Sequence, residues 1–525
     1  MKNGVFAVLS VRRPVVMGAG VWYAAFAVYA TGVALLSGSG VDHWWGAWAA
    51  GGYGLAALAA AAGRRRLGIV LALAGALAAP TVWLITQQPA TPDVAVVARS
   101  GELLLHHGTP YLPAAALAAG GWLAYNPYLP VMALFGLPGA LGMPGGTRPW
   151  LIGVTFLLLY ATFRVTLAPG DARTGRAARS DRAARTAPGA LETAAFWLAS
   201  PIMALALAMG NTDPPVIALI CLSLALLARG ARTAGGHVRH DRRQRRDTVA
   251  AALILAVACA MKYTAWPALA IIAVMVATRD GTRAAARFTA AVLAIAAGLV
   301  VALAPAALRN PASILANTVA YPLGLTSAKS PAQSPLPGHL LAALGAGGHL
   351  AALVLLAAAG LATVAWLVIS PPATPASAAR RIAIGLAALF ALSPATRFGY
   401  FIYPIAFYAW ATLADRRGVS PACDDDAGSG DDRGQASEQV ALVDEDQPHA
   451  VHLVDVGWLA EERLPLARRV SEQALSGYLG HREGGVITGR VEQEGIRLPL
   501  GAVDPDAGRP RCPEQFYLAD TDAIT

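Results

Sequence analysis

The chain carries isolated acids, Asp93 and Asp213 among them, and a few cations in polar segments between long apolar runs. A carboxylate can accept a proton from an attacking hydroxyl group. Lysine and arginine can stabilise the negative charge that grows on a departing phosphate. Beside apolar runs of membrane-spanning length, these residue types favour transfer of a group from a lipid-linked phosphate to a hydroxyl. The elements that position them must therefore cross or border a membrane.

The composition is that of a multi-pass membrane protein. Of the 525 residues, 56% are apolar and 14% are charged, with a mean hydropathy of +0.49. Soluble proteins carry ~25% charged residues, so a cytosolic enzyme is excluded. The first 414 residues have a net charge of +20 and the remainder −11, and no single basic face exists. Nucleic acid is therefore excluded as a partner, and membrane lipids are expected ones.

Twelve apolar segments are candidate membrane spans, although several are shorter than the ~20 residues that cross a bilayer upright. We expect an all-α bundle of about 12 transmembrane helices within residues 1–414, in the plasma membrane. The segments are 15–38, 43–62, 67–86, 150–167, 190–209, 213–228, 248–261, 265–278, 288–307, 342–369, 382–396 and 400–413.

The distribution of basic residues predicts the orientation of these spans. With the N-terminus in the cytoplasm, 24 basic residues of the first 414 lie inside and six lie outside. This agrees with the rule that cytoplasmic loops carry the excess of Lys and Arg. The outer cations are then Arg99, Arg148, Lys262, Arg309, Lys329 and Arg397, and the outer acids are Asp42, Asp93, Glu102 and Asp213.

The same rule predicts which apolar segments cross the membrane twice and which do not cross it. Residues 190–228 and 248–278 must each cross twice, which places 210–215 and 262–266 at outer turns. Large outer loops are expected at about 87–149 and 306–341, the first with an amphipathic helix over Val94–His107. In that loop Tyr125–Leu141 should not cross, and its prolines and tyrosines predict a helix along the outer interface.

Several outer segments resemble the GT-C glycosyltransferases. The similarity is greatest to glycosyltransferase family 87 (DUF2029), the polyprenol-phosphate-mannose-dependent α-mannosyltransferases, and it extends over about residues 65–414. The segment Asp93–Tyr111 resembles the first outer loop of the family, with Val97 in place of a usual tyrosine. The other similar segments are Tyr125-Asn126-Pro127, Gly210-Asn211-Thr212-Asp213, Met261–Pro267 and Arg397–Pro404.

The resemblance implies a fold, an activity and a site. It implies a GT-C-like bundle that transfers a hexose, most simply mannose, from a polyprenyl-phosphate carrier to a lipid or glycan acceptor at the outer face. The transfer would invert the anomeric centre, with Asp93 as general base. No cofactor and no metal-binding residues are predicted, and the need for a metal ion stays open. The residues expected to bind substrate or phosphate are Lys262, Arg397, Arg309, Arg99, Tyr125, Asn211 and Asp213.

Structural interpretations of the same residues remain open. Asp93 follows Thr91-Pro92, an ordinary helix start with a threonine cap and an acid in the first turn. Asp213 could be a turn residue before two prolines, and Lys262 could extend from a span end to the membrane interface. The alternative functions are a transporter or flippase for a lipid-linked sugar, and an inactive membrane scaffold.

The tail differs in composition from the rest of the chain. Residues 415–449 are acidic and rich in Gly and Ser, which is typical of a disordered linker. From residue 450 to 525 the pattern predicts a small α+β cytoplasmic module, with a strand at Val451–Val456, a helix at Leu459–Tyr478 and a hairpin within Gly485–Leu500. The sequence of this module indicates no function.

Overall fold

The computed structural model describes residues 18–87, 91–168, 189–232, 238–322, 325–326, 328 and 331–418, together with four short strands between residues 439 and 488. The chain divides into two compact units, Met1–Val419 and Ser420–Thr525. The described part of the first unit is mainly helical. The helices are, in chain order, α1 Ala19–Leu36, α2 Gly40–Ala61, α3 Arg65–Gln87, α4 Pro92–His107, α5 Ala114–Ala119, α6 Leu137–Ala140, α7 Thr147–Thr166, α8 Ala190–Leu198, α9 Pro201–Met209, α10 Asp213–Arg232, α11 Val238–Met261, α12 Trp266–Asp280, α13 Thr282–Leu303, α14 Pro311–Leu315, α15 Pro337–Ala342, α16 Ala346–Ile369, α17 Pro375–Leu392 and α18 Ile402–Gly418.

Many of these helices are long and apolar enough to cross a membrane. Within the described residues seven satisfy both conditions, or eight if α8 and α9, which meet at a 64° bend, form one span. Each of the twelve segments predicted from the sequence contains a helix. The multi-pass, all-α architecture is therefore as expected. The count of twelve spans and their orientation stay predictions. The seven are α1, α3, α7, α10, α13, α16 and α17.

The core of the first unit is built around α10. Its residues from Val216 to Leu227 are all buried, and the helix packs against α7, α11, α17 and α18. A helix surrounded by other helices needs apolar residues on all sides, which its sequence provides. By contrast, α1 and α16 are largely exposed within the unit. The start of α10 therefore lies where several other segments can reach it.

The loop between α4 and α7 differs from the sequence prediction. In place of a helix along the interface, it holds a 3₁₀ turn at Pro130–Phe135 followed by the short α6. Tyr128, Val131 and Met132 are buried in the main core, where the turn packs against α4, α11 and α13. The interfacial helix was therefore a wrong prediction, because these apolar side chains pack against protein. The helix expected at Val94–His107 corresponds to α4.

The described part of the second unit consists of strands β1 Gln439–Val443, β2 Val451–Asp455, β3 Arg482–Glu483 and β4 Val486–Thr488. They form one sheet in the order β2-β1-β4-β3, in which only β1 and β4 are parallel. The strand expected at Val451–Val456 corresponds to β2, whereas β1 lies inside the segment expected to be a linker. The helix expected at Leu459–Tyr478 lies outside the described residues, so the α+β module stays a prediction.

Two glycines set how closely α4 approaches the loop that follows it. A Cβ atom on Gly136 would overlap the carbonyl oxygen of Val97, and one on Gly101 would overlap the backbone of Gly136. Backbone atoms cannot move aside as flexible side chains do. Both positions therefore require glycine, and the contact fixes α4 against the turn at 130–135.

We expect Gly136→Ala to lower the free energy of unfolding by about 1–3 kcal/mol, since the added methyl must separate two backbones. Thermal unfolding of the detergent-solubilised protein measures the effect. The control is Gly153→Ala in α7, where the added Cβ has no heavy atom within 4 Å. That helix-interior change should stabilise by about 0.5–1 kcal/mol. Equal melting temperatures for the two variants would contradict the close-contact interpretation.

Candidate functional site

Polar side chains from four separate chain segments meet at one end of the helical bundle. Asp93 lies in the first turn of α4, and Asp213 is the first residue of α10. Lys262 lies between α11 and α12, just before the 3₁₀ turn Tyr263–Ala265. Tyr400 belongs to the turn Phe398–Phe401 that leads into α18. Each residue therefore sits at a helix start or in a turn, where the backbone itself exposes polar groups.

The centre of this cluster is a buried ion pair between Lys262 and Asp213. The Lys262 ammonium contacts Oδ1 of Asp213, and the two residues are 6% and 1% exposed. The Tyr403 hydroxyl donates to the same oxygen at 2.8 Å and is 2.7 Å from the Thr264 hydroxyl. A buried ion pair is stable only when its remaining polar atoms are also hydrogen-bonded. Here Tyr403 supplies one such bond.

The local sequence explains how Asp213 reaches this position. Gly210 has a φ of +76°, which ends α9 in the left-handed conformation that glycine adopts without strain. The Asn211 side chain then accepts a hydrogen bond from the Asp213 backbone N–H at 2.8 Å. This Asx turn leads directly into α10. Asn211 therefore shapes the turn that presents Asp213.

Asp93 is half-buried and lies next to the ion pair. The Tyr128 hydroxyl donates to its Oδ1 at 3.0 Å, and the Lys262 ammonium lies 5.3 Å from the centre of the Tyr128 ring. Thr91 does not cap α4 with its side chain. Instead its hydroxyl donates to the Met209 carbonyl at 2.6 Å, which ties α4 to α9. The helix-start interpretation is thus right about the acid in the first turn and wrong about the threonine cap.

Tyr128 is held in place by Asn126, which is 3% exposed. The Asn126 side-chain oxygen accepts from the Tyr128 backbone N–H at 3.0 Å. Its amide group donates to the Ser100 hydroxyl and the Pro110 carbonyl, and its backbone N–H donates to the Asn317 side chain at 2.7 Å. Asn126 therefore connects the loop after α4 to α4 itself and to the segment around residue 317.

Tyrosine hydroxyls dominate the polar surface of the cluster. Burial and then the charge of Asp93 raise the pKa of Tyr128 well above its usual value. Burial and then Asp213 raise the pKa of Tyr400, although the positive charge of Arg397 opposes the shift. Both phenols consequently stay protonated at neutral and mildly alkaline pH. Tyr128 donates its proton to Asp93, whereas the Tyr400 hydroxyl can donate a hydrogen bond to an anion or a sugar.

The structure brings four of the predicted site residues together: Asp93, Asp213, Lys262 and Arg397. Arg397 is half-buried, and its charge acts on the Tyr400 hydroxyl together with those of both acids. The alternative in which Asp213 is merely a turn residue does not account for its buried ion pair. Lys262 likewise does not extend to the surface, because it is buried against Asp213.

Three other predicted site residues lie elsewhere or are engaged in structural contacts. The Arg99 guanidinium donates to the carbonyl oxygens of Leu123 and Ala124 at 2.6 and 3.1 Å. Tyr125 is buried and stacks on Tyr321, with ring centres 4.6 Å apart. Arg309 is exposed in the turn Ala307–Arg309, and within the described residues no hydrogen bond or ion pair connects it to the cluster.

Tyr128, Tyr400 and Tyr403 were not among the site residues predicted from the sequence. Tyr128 was assigned to the membrane interface, and Tyr400 and Tyr403 entered only as parts of a motif. The sequence did contain a signal for Tyr400 and Tyr403, because both follow the predicted site residue Arg397 within six residues. In the described part of the chain, no group of three or more His, Cys, Asp or Glu side chains could hold a metal ion.

Comparison with protein families identifies the chain. The model of glycosyltransferase family 87 matches residues 126–394. The chain belongs to this family. Neither the curated proteins nor the solved structures contain a match. Membership of family 87 makes the protein a membrane glycosyltransferase, with a sugar donor and an acceptor as substrates. The matched region includes Asn211, Asp213 and Lys262, whereas Asp93 and Arg397 lie outside it.

We expect Asp213→Leu and Lys262→Met each to lower the free energy of unfolding of this family 87 protein by about 3–5 kcal/mol, because each leaves a buried charge unpaired. The double variant Asp213→Leu/Lys262→Met removes both charges and should recover most of that loss. Thermal unfolding in detergent measures all three. If the two single effects simply add in the double variant, the ion pair does not couple these residues.

Proposed function

We propose that this family 87 protein transfers a hexose, most simply mannose, from a polyprenyl-phosphate carrier to a hydroxyl of a lipid or glycan acceptor. The reaction takes place at the outer membrane face and inverts the anomeric carbon. The observation that carries the proposal is the meeting of Asp93, the Lys262–Asp213 pair and Arg397 at one end of the bundle. Family membership supports transfer over a flippase or an inactive scaffold.

Asp93 is better suited than Asp213 to act as general base. Both carboxylates lie in the cluster, but Asp213 is 1% exposed and already bonded to Lys262 and Tyr403. Asp93 is half-buried and pairs with no cation in the described part of the chain. Tyr128 binds its Oδ1, and we assign Oδ2 as the oxygen that accepts the proton of an incoming hydroxyl. A base must reach the proton that it removes, and only Asp93 is accessible.

The cations and phenols suit a departing phosphate. As the bond from the anomeric carbon to the phosphate oxygen breaks, the phosphate takes the electron pair and Asp93 takes the acceptor proton. In this proposal Arg397 and Lys262 stabilise the negative charge, and Tyr400 donates a hydrogen bond. Such prearranged donors are most effective where water is excluded. Asp213 then acts as a positioning residue for Lys262.

An apolar groove beside the cluster suits the isoprenoid tail. The groove has a volume of about 360 Å³ and lies between α17 and α18. Phe401 lines it and directly follows Tyr400 in the chain. Its entire lining is apolar, apart from the hydroxyl of Tyr408. The lining residues are Ala383, Ile384, Ala387, Phe401, Pro404, Ile405, Tyr408 and Ala409.

We expect Asp93→Asn to lower the rate of mannose transfer from polyprenyl-phosphate-mannose by roughly 10²–10⁴-fold, because the amide cannot accept the proton. Purified protein with radiolabelled donor and a crude lipid acceptor measures the product. The matched control is Glu102→Gln, which neutralises an exposed carboxylate on the same helix. Glu102→Gln should leave the rate unchanged. Equal turnover by Asp93→Asn and wild type would remove Asp93 as the base.

We expect Ala387→Leu, which fills the groove, to raise the KM for a long-chain polyprenyl donor several-fold. A donor with one or two isoprene units does not reach far into the groove, so its KM should not change. Ala358→Leu adds the same bulk at an exposed position of α16 and serves as the control. A rise in KM that is equal for long and short donors would show that the groove does not hold the tail.

A further inference from the structure

The first two residues of α7 bury polar atoms that have no partner. Thr147 is 2% exposed and Arg148 is 4% exposed. The Thr147 hydroxyl and the Nε and Nη2 atoms of Arg148 make no hydrogen bond within the described structure. Nor does any described acid form an ion pair with Arg148. Three buried groups able to donate hydrogen bonds are thus gathered at the start of one 20-residue helix.

This arrangement is unfavourable unless an anion binds to it. A buried charge without a partner carries an uncompensated desolvation cost, and buried polar groups in native proteins are nearly always hydrogen-bonded. The cation also lies at the N-terminus of a helix, which already carries a partial positive charge. No side chain caps this helix, and the chain enters it through Gly145 and Gly146, which both have positive φ. An anion would satisfy the guanidinium, the hydroxyl and the free backbone N–H groups together.

The location of Arg148 connects it to the cluster around Asp93. A Cβ atom placed on Gly210 would lie 3.3 Å from Cγ of Arg148 and 3.6 Å from its Nε, and it would overlap the Val94 side chain. Arg148 and Val94 therefore both pack against Gly210. Val94 follows Asp93 in the chain, and Gly210 precedes Asn211. Arg148 thus lies at the same end of the bundle as the proposed general base.

Two other cations near this end have less capacity for a new anion. Lys262 is already paired with Asp213. Arg99 donates to two backbone carbonyls. At this end of the described bundle, Arg148 is a buried cation whose Nε and Nη2 atoms have no hydrogen-bond partner. A guanidinium can bind a phosphate through two parallel hydrogen bonds, which matches the free Nε and Nη2 atoms.

We propose that Thr147 and Arg148, at the N-terminus of α7, bind the phosphate group of an isoprenoid lipid. The assignment of the phosphate to an isoprenoid carrier rests on the proposed function, whereas the anion site itself rests on the unpartnered donors. The site binds the phosphate before and after sugar transfer, and Arg397 adds its charge while the bond to the sugar breaks. The site therefore also binds the sugar-free carrier that the reaction releases.

Binding of undecaprenyl phosphate, without any sugar, tests the site. The melting temperature of the purified protein in detergent is measured with undecaprenyl phosphate, with undecaprenol, with phosphatidylglycerol and with inorganic phosphate. A ligand that binds only the folded protein raises the melting temperature. We expect undecaprenyl phosphate to raise it in the wild type, and undecaprenol to leave it unchanged. A shift as large with phosphatidylglycerol would overturn the isoprenoid assignment, and one as large with inorganic phosphate would show that the lipid chain adds nothing.

The variants Arg148→Gln and Thr147→Val should lose at least tenfold in affinity for undecaprenyl phosphate. Without ligand, Arg148→Gln should melt at or above the wild-type temperature, because it removes an unpaired buried charge. A structural arginine would behave in the opposite way, with a lower melting temperature and an unchanged affinity. Arg148→Lys keeps the positive charge but not the two parallel N–H donors of the guanidinium, and it should retain part of the affinity for undecaprenyl phosphate. Arg164→Gln, an exposed arginine at the other end of α7, is the control.

Failure of the proposed phosphate site can be distinguished from failure of the proposed transferase function. If Arg148→Gln loses carrier binding while the wild type shows no sugar transfer, the phosphate site stands and the transferase proposal fails. If Arg148→Gln transfers mannose with an unchanged KM for the donor, the phosphate site fails and the transferase proposal stands.

Discussion

The buried ion pair between Lys262 and Asp213 is the interaction on which the arrangement of this end of the molecule depends. It joins the start of α10 to the turn between α11 and α12, and the Tyr403 hydroxyl adds α18. Ionisable residues among membrane helices are costly, so they persist where they pair with each other or serve a function. Here the two residues pair with each other, and the Lys262 ammonium lies 5.3 Å from the ring centre of Tyr128, which donates a hydrogen bond to Asp93.

The difference between the roles of Asp213 and Asp93 follows from their surroundings. Asp213 is buried and its Oδ1 is bonded to Lys262 and Tyr403, which makes it a fixed counter-charge. Asp93 receives one bond from Tyr128 and remains partly accessible, which suits a base. Tyr128 in turn depends on Asn126. The hydrogen bonds of the Asn126 side chain to Ser100, Pro110 and Tyr128 hold the loop in this shape.

The proposed anion site at the start of α7 likewise depends on which charged groups surround it. A glycosyl transfer from a lipid phosphate needs both a base and a place for the phosphate, and the two must be close but separate. The cluster around Lys262 is nearly balanced in charge, with two acids and two cations. Arg148, which has no acid partner in the described chain, adds the positive charge that an incoming phosphate would match. The proximity of Val94 and Gly210 keeps that charge near Asp93 without contact.

The sequence by itself determined the apolar segments, the helical class, the family and the positions of Asp93, Asp213, Lys262 and Arg397 at helix starts and turns. These features follow from local composition and from the scarcity of charge in apolar surroundings. Only the tertiary structure decided which of these residues meet. It paired Lys262 with Asp213, turned Arg99 toward backbone carbonyls, left Arg309 exposed and buried the loop expected at the membrane interface. Which side chains form ion pairs and hydrogen bonds depends on how helices distant in sequence pack, and no local sequence pattern encodes that packing.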